Sequence, residues 1–167
     1  MTTLTPMNKK YKILFLCTGN SARSIMGEYF MNQPTIGQGK FEAYSAGSNP
    51  RGSIHPVTLG VLRDEFKIDA RDARSKAIEE VQNTHFDFVI TVCDGARETC
   101  PVWPGHPIIA HWGLEDPAAF QGSDEEIYQK FRDIAIQLRR RCELLACLPF
   151  EKLDRLKLEQ ETTDIGK

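Results

Sequence analysis

The octet "CTGNSARS" (Cys17–Ser24) sets a thiol and a guanidinium six residues apart, with only small, turn-competent residues between them. The apolar run "YKILFL" (Tyr11–Leu16) precedes it, and "IMGEYF", which reads as the start of a helix, follows it. The order is therefore strand, small-residue loop, helix. Successive backbone N–H groups in such a loop form a concave anion nest, and the helix N-terminus adds its positive dipole end. Arg23, folded back, offers a planar fork that fits two oxygens of a tetrahedral anion. The same features favour the thiolate of a cysteine at the rim. Cys17 is thus expected to be a nucleophile aimed at the centre of a bound oxyanion, with Ser24 hydrogen-bonded to its sulfur. Thr18, Gly19, Asn20, Ser21, Ala22, Arg23 and Ser24 form the oxyanion-binding set. The alternative is a buried strand-end cysteine beside a surface arginine.

Such a loop needs a scaffold. "YKILFLC" (11–17) is a short, partly β-branched apolar run suited to a strand buried on both faces. A helix is predicted from about Arg23 to Asn32, ended by Pro34 and the glycines at 37 and 39. "KFEAYSAG" (40–47) reads as a second strand, and "HPVTLGVLRDEF" (55–66) as a helix with Pro56 at its first position. "DFVITVC" (87–93) and "PIIAHW" (107–112) give two more strands. Ser123 and Glu126 form a capping-box pattern for a last helix over Asp124–Ala146. Strands alternating with helices predict an α/β fold, a four-stranded parallel sheet flanked by helices on both faces. Ligands of open α/β sheets lie outside the carboxyl ends of the strands, where Cys17 stands.

The 167 residues suit a single domain. The expected division is a flexible N-terminal tail at 1–9, one domain at 10–148 and a charged extension at 149–167. The extension is expected to be weakly ordered, with at most a turn of helix within 150–158. Hydrophobic residues make up 41% and charged residues 26%, the balance of a soluble globular chain. A net charge of -2 gives no overall attraction to nucleic acid or anionic lipid. Apolar runs reach about five residues, against roughly 18 for a membrane span. The start, "MTTLTPMNKK", has no apolar core of a secretory signal. Neither nucleic acid nor membrane is an expected partner, and the expected location is cytoplasmic. Five cysteines, an odd number with no C-x-x-C pair, fit neither an extracellular disulfide framework nor a zinc site. Neither metal nor cofactor is expected.

With these residues in place, the chain resembles a known family. "CTGNSARS" is similar to the C-x-x-x-x-x-R-S phosphate-binding loop of low-molecular-weight tyrosine phosphatases and of the arsenate reductases that share their fold. "SAG" (45–47), "TVCDGARETCP" (91–101) and "HWGLEDP" (111–117) extend the likeness from about Tyr11 to Leu145, and together resemble the thioredoxin-coupled arsenate reductases. The resemblance implies that Cys17 attacks arsenate to form an arseno adduct. Cys93 then attacks the Cys17 sulfur, releasing arsenite and leaving a Cys17–Cys93 disulfide. Cys100 attacks Cys93, and the Cys93–Cys100 disulfide is reduced by thioredoxin, or alternatively by glutaredoxin with glutathione or another thiol donor. A monomer is expected. Two further readings stay open: a protein phosphatase needing Cys17, Arg23 and Asp116 only, and a non-catalytic thiol redox sensor.

The spacing of the two later cysteines has a consequence of its own. Seven helical steps of ~1.5 Å separate residues 93 and 100 by roughly 10 Å, whereas a disulfide needs less than about 7 Å. If this segment is helical when reduced, it must unwind when oxidised. Gly95 weakens a helix there and Pro101 ends it.

In the phosphatases the residue matching Asp116 is the general acid for the leaving group; in the reductases it faces the same loop. Read alone, Asp116-Pro117 is also a common turn signal. Ala118 and Ala119 follow, with Phe120 displaced, where the phosphatase pattern has an aromatic residue soon after the pair. Some relatives bind potassium near the loop through residues matching Asn20, Glu28 and Ser45 and a further aspartate. The last position falls at Lys76, whose ammonium can serve as a tethered cation in place of the ion. Cys142 and Cys147 read as buried helix residues, His106 and His111 as structural, Arg139 to Arg141 as a solvated helix face, and Trp103 and Trp112 as packing.

Overall fold

The computed structural model describes residues 9–167. The expected N-terminal tail therefore lies, apart from Lys9, outside the described residues. Four strands, β1 (Tyr11–Cys17), β2 (Phe41–Gly47), β3 (Phe88–Thr91) and β4 (Ile108–His111), form one sheet in the order β2-β1-β3-β4. Every pairing is parallel, with Cys17 opposite Gly47 and Leu16 opposite Thr91. Residues 13–17 and 88–91 are buried without alternation, so the two inner strands are covered on both faces, as their unbroken apolar runs require.

Helix α1 (Arg23–Met31) packs on β1 and β2 and against the long α5 (Asp124–Ala146). A short α2 (Pro34–Gly37) begins at the proline expected to mark only a stop, because Pro is well suited to a first helical turn. Helix α3 (Pro56–Phe66) packs on α5, and α4 (Asp94–Glu98) is a single turn and a half after β3. The α5 start follows its capping box: Glu126 N–H donates to Ser123 Oγ at 3.2 Å, and Ser123 N–H to Glu126 Oε1 at 3.0 Å. β3 is shorter than "DFVITVC" suggests. Val92 still donates to Leu16 O, but Cys93 has already become the N-cap of α4.

The charged end of the chain is ordered, contrary to the expectation from its composition. A helix α6 (Arg155–Ile165), capped by Asp154, packs on β4, and Trp112 Nε1 donates to Thr162 O at 3.0 Å. Phe150 joins Tyr11, Phe41 and Phe88 in an aromatic cluster. A few widely spaced apolar residues, Phe150, Leu158 and Ile165, anchor a segment whose charges face water. Among the described residues no helix is long and apolar enough to cross a membrane.

Candidate active site

The β1–α1 loop is shaped by what happens to its carbonyls. Cys17 O, Thr18 O and Gly19 O accept from the amides of Ser48, Asn49 and Arg51 at 3.2, 2.9 and 2.9 Å. Ser21 O accepts from His55 N–H at 3.1 Å and from Thr58 Oγ1 at 3.0 Å. The segment after β2 thus straps the loop from outside. Its carbonyls point outward and its amides are left for the interior. Among the described residues, the amides of Gly19, Ser21 and Ala22 donate to no other backbone group. Helix α1 starts there with no side-chain cap and no acidic residue in its first turn, so its terminal amides stay available to an anion.

Asn20 is the keystone. It adopts a left-handed conformation, φ 46°, which asparagine tolerates better than most residues. That conformation brings its N–H to 3.1 Å from Cys17 Sγ. Its side-chain amide donates to Ser24 Oγ at 2.7 Å, and Ser24 Oγ stands 2.8 Å from Cys17 Sγ. Because that oxygen accepts from Asn20, its own proton is free for the sulfur. The Asn20 amide and the Ser24 hydroxyl can both donate to the Cys17 sulfur.

The loop encloses a cavity of about 340 Å³, lined by residues 17–23 together with Cys93 and Asp116. Ser24 does not line it: it lies behind, wholly buried, with its hydroxyl between the Asn20 side-chain amide and the Cys17 sulfur. Arg23 donates to Leu114 O at 2.9 Å and meets Asp116 at 3.6 Å. Its side chain is 12% exposed, so the fork is held before any ligand arrives. Cys93 Sγ lies 3.4 Å from Thr18 Oγ1 and accepts from Ala96 N–H at 3.4 Å. Gly95 lets α4 come this close, since a Cβ there would stand 2.9 Å from Thr18 Oγ1. Cys100 does not line this cavity. It borders a second one of about 420 Å³ with Arg97 and His111. All five cysteines are free.

Three features of the site escaped the sequence reading. Asn49 and Arg51 line the cavity, and His55, the N-cap of α3, binds the loop. Their signal was present as the Pro50-Gly52 loop following "SAG", but a turn motif does not reveal what it straps. Cys142 is buried as expected, and burial pushes its thiol up. Cys147 is exposed, against expectation, because it occupies the C-cap of α5 rather than its apolar face. Lys76 N–H donates to Asn20 Oδ1 at 2.7 Å, and its ammonium lies 3.4 Å from Glu28 Oε1, to which Ser45 Oγ donates at 2.5 Å.

The parallel sheet thus carries a thiol, a loop whose amides line a cavity and an arginine together at the end of β1. Residues 12–160 match the family model for low molecular weight phosphotyrosine protein phosphatases, and the chain belongs to that family. It is 37% identical over 140 residues to an arsenate reductase of Oceanobacillus iheyensis, covering 84% of this chain and 97% of the relative. A solved arsenate reductase in its phosphate-binding state superposes with a TM-score of 0.68 at 31% identity, over 81% of this chain and 96% of that one. A thioredoxin-dependent arsenate reductase of Corynebacterium glutamicum superposes with a TM-score of 0.55 at 26% identity, over 83% and 64% of the two chains.

Proposed function

We propose that this protein reduces arsenate to arsenite through Cys17, Cys93 and Cys100, with thioredoxin as the dithiol donor. The observation that carries the reading is a second thiol at the oxyanion loop. Cys93 borders the same cavity as Cys17, and a hydrolytic phosphatase has no use for it. In this scheme Arg23 and the loop amides bind arsenate, and Cys17 displaces water from arsenic. Asp116, 3.6 Å from Arg23, protonates the departing oxygen. Cys93 attacks the Cys17 sulfur, the electron pair of the S–As bond leaves with arsenic as arsenite, and two thiols have become one disulfide. Cys100 then displaces Cys17 from Cys93. The names of the relatives support arsenate as substrate, and the C. glutamicum neighbour supports thioredoxin as donor.

The test is arsenate-dependent NADPH oxidation with thioredoxin and its reductase, set beside glutaredoxin with glutathione. Turnover with thioredoxin alone is the expected result, and no turnover with any thiol donor would sink the reading. Cys100→Ser should release about one arsenite per enzyme, as the single remaining relay step allows, and stop as a Cys17–Cys93 disulfide. Sustained turnover by that variant would point to a shorter relay. The placement of Asp116 at the cavity favours residual phosphatase activity as the second reading, and aryl phosphate turnover measures it.

A further inference from the structure

Beside the site lies a side-chain cluster that the scheme above does not use. His111, the last residue of β4, has its Nδ1 2.8 Å from Thr91 Oγ1 at the end of β3. Its Nε2 stands 3.1 Å from Oδ1 of Asp94, the first residue of α4 and the neighbour of Cys93. The ring therefore pins the start of α4 to the ends of two strands. Its side chain is 20% exposed, whereas that of Asp94 is 87% exposed. The strand side of the clasp is fixed and the helix side is the one that can release. We infer that His111 is a positioning residue for the thiol relay: through Asp94 it holds 94–98 helical until Cys100 closes on Cys93. This role rests on the three-cysteine reading proposed above.

The clasp acts on one step and not on the other. In the first transfer Cys93 Sγ bonds to Cys17 Sγ and the S–As bond breaks. Cys93 already borders the cavity, so that step leaves α4 in place. In the second, the Cys100 thiolate bonds to Cys93 Sγ and Cys17 leaves as thiolate, with no net change of oxidation state. Cys93 and Cys100 border different cavities with α4 between them, and Thr99 N–H still donates to Gly95 O at 3.1 Å, closing a last turn before Cys100. A disulfide requires their Cα atoms within about 7 Å, so α4 must unwind. Its internal bonds are few, and the Asp94–His111 contact ties it to the sheet. The cavity of about 420 Å³ beside Arg97, Cys100 and His111 leaves room for the unwound segment.

The experiment follows both steps by rapid quench: arsenite release, and conversion of the Cys17–Cys93 bond to Cys93–Cys100 read by non-reducing peptide mapping. Asp94→Ala, His111→Leu and the double variant are compared with wild type. Arsenite release in the first turnover should be unchanged, and disulfide conversion should be faster by roughly three- to tenfold in each single variant. The double variant should be no faster than either single, because both remove one contact. His111→Gln, which keeps a donor for Asp94, should restore part of the wild-type rate. Amides 94–100 of the reduced variants should exchange hydrogen faster than wild type. Unchanged conversion, additive effects or equal slowing of both steps would overturn the role of His111. Oxidised wild type without a Cys93–Cys100 bond would instead overturn the relay, and this role with it.

Discussion

At the scale of single residues, the site depends on side chains whose shape matters more than their charge. Arg23 uses one nitrogen to hold Leu114 O and presents the rest of a planar fork beside Asp116. Arg23→Lys keeps the charge but cannot do both, so arsenate binding should weaken by roughly 10- to 100-fold with the fold intact. Protection of Cys17 from alkylation by arsenate or phosphate measures it, and equal protection in both proteins would refute the role. The octet made Cys17, Ser24 and Arg23 legible because their chemistry is local. Lys76 was legible only through family likeness. Its ammonium donates to Arg74 O at 2.7 Å and lies near Glu28, one of the positions at which the resemblance implied a potassium ligand. Turnover should accordingly be the same in sodium as in potassium buffers, and a clear potassium activation would show that the ammonium does not replace the ion.

At the scale of elements, strands and long helices followed from periodicity, while the strap over the loop did not. Nothing in the spacing of Ser48, Asn49, Arg51 and His55 marks their amides as partners of the carbonyls of Cys17, Thr18, Gly19 and Ser21, because backbone hydrogen bonds leave no side-chain signature. His55 shows how the strap and helix α3 are joined. Its N–H binds Ser21 O, and its Nδ1 accepts from Val57 N–H at 3.2 Å as the helix cap. The cap needs a neutral Nδ1. Burial holds the imidazole below its ordinary pKa of 6.5, and the positive charge of Arg51 adds to this against a smaller pull from Asp116. A lowered folded pKa means that the unfolded chain binds the proton more tightly. The contribution of His55 is complete above 6.5 and is lost as pH falls through the lower folded value. His55→Asn keeps a capping acceptor but does not titrate there, so it should flatten the loss of stability between about pH 7 and about pH 5. Denaturation curves at the two pH values decide this, and equal losses in both proteins would remove His55 as the cause.

At the scale of the whole molecule, composition misled where a few contacts outweighed it. The last nineteen residues read as a solvated tail because charge dominates them. In the fold they close the β4 edge of the sheet, and Thr162 is fully buried. Trp112, also fully buried, has its indole N–H on Thr162 O, so removing the helix would leave a buried donor without a partner. Removing Phe150 would open the cluster of Tyr11, Phe41 and Phe88. Each loss has a known scale: about 1–3 kcal/mol for the orphaned donor and about 1.5–3 kcal/mol for a large apolar side chain, less here because Phe150 is only partly buried. A chain ending at Leu148 should therefore lose roughly 2–5 kcal/mol of unfolding free energy. Its tryptophan emission should shift to the red as Trp112 meets water. Thr162→Pro is the sharper companion, because it keeps the length of the chain but breaks α6 at the residue whose carbonyl receives the indole. Matching losses in the two variants would assign the effect to the docked helix. A truncated protein with wild-type stability and unshifted emission would show that the domain is complete at Leu148 and that α6 is a passenger.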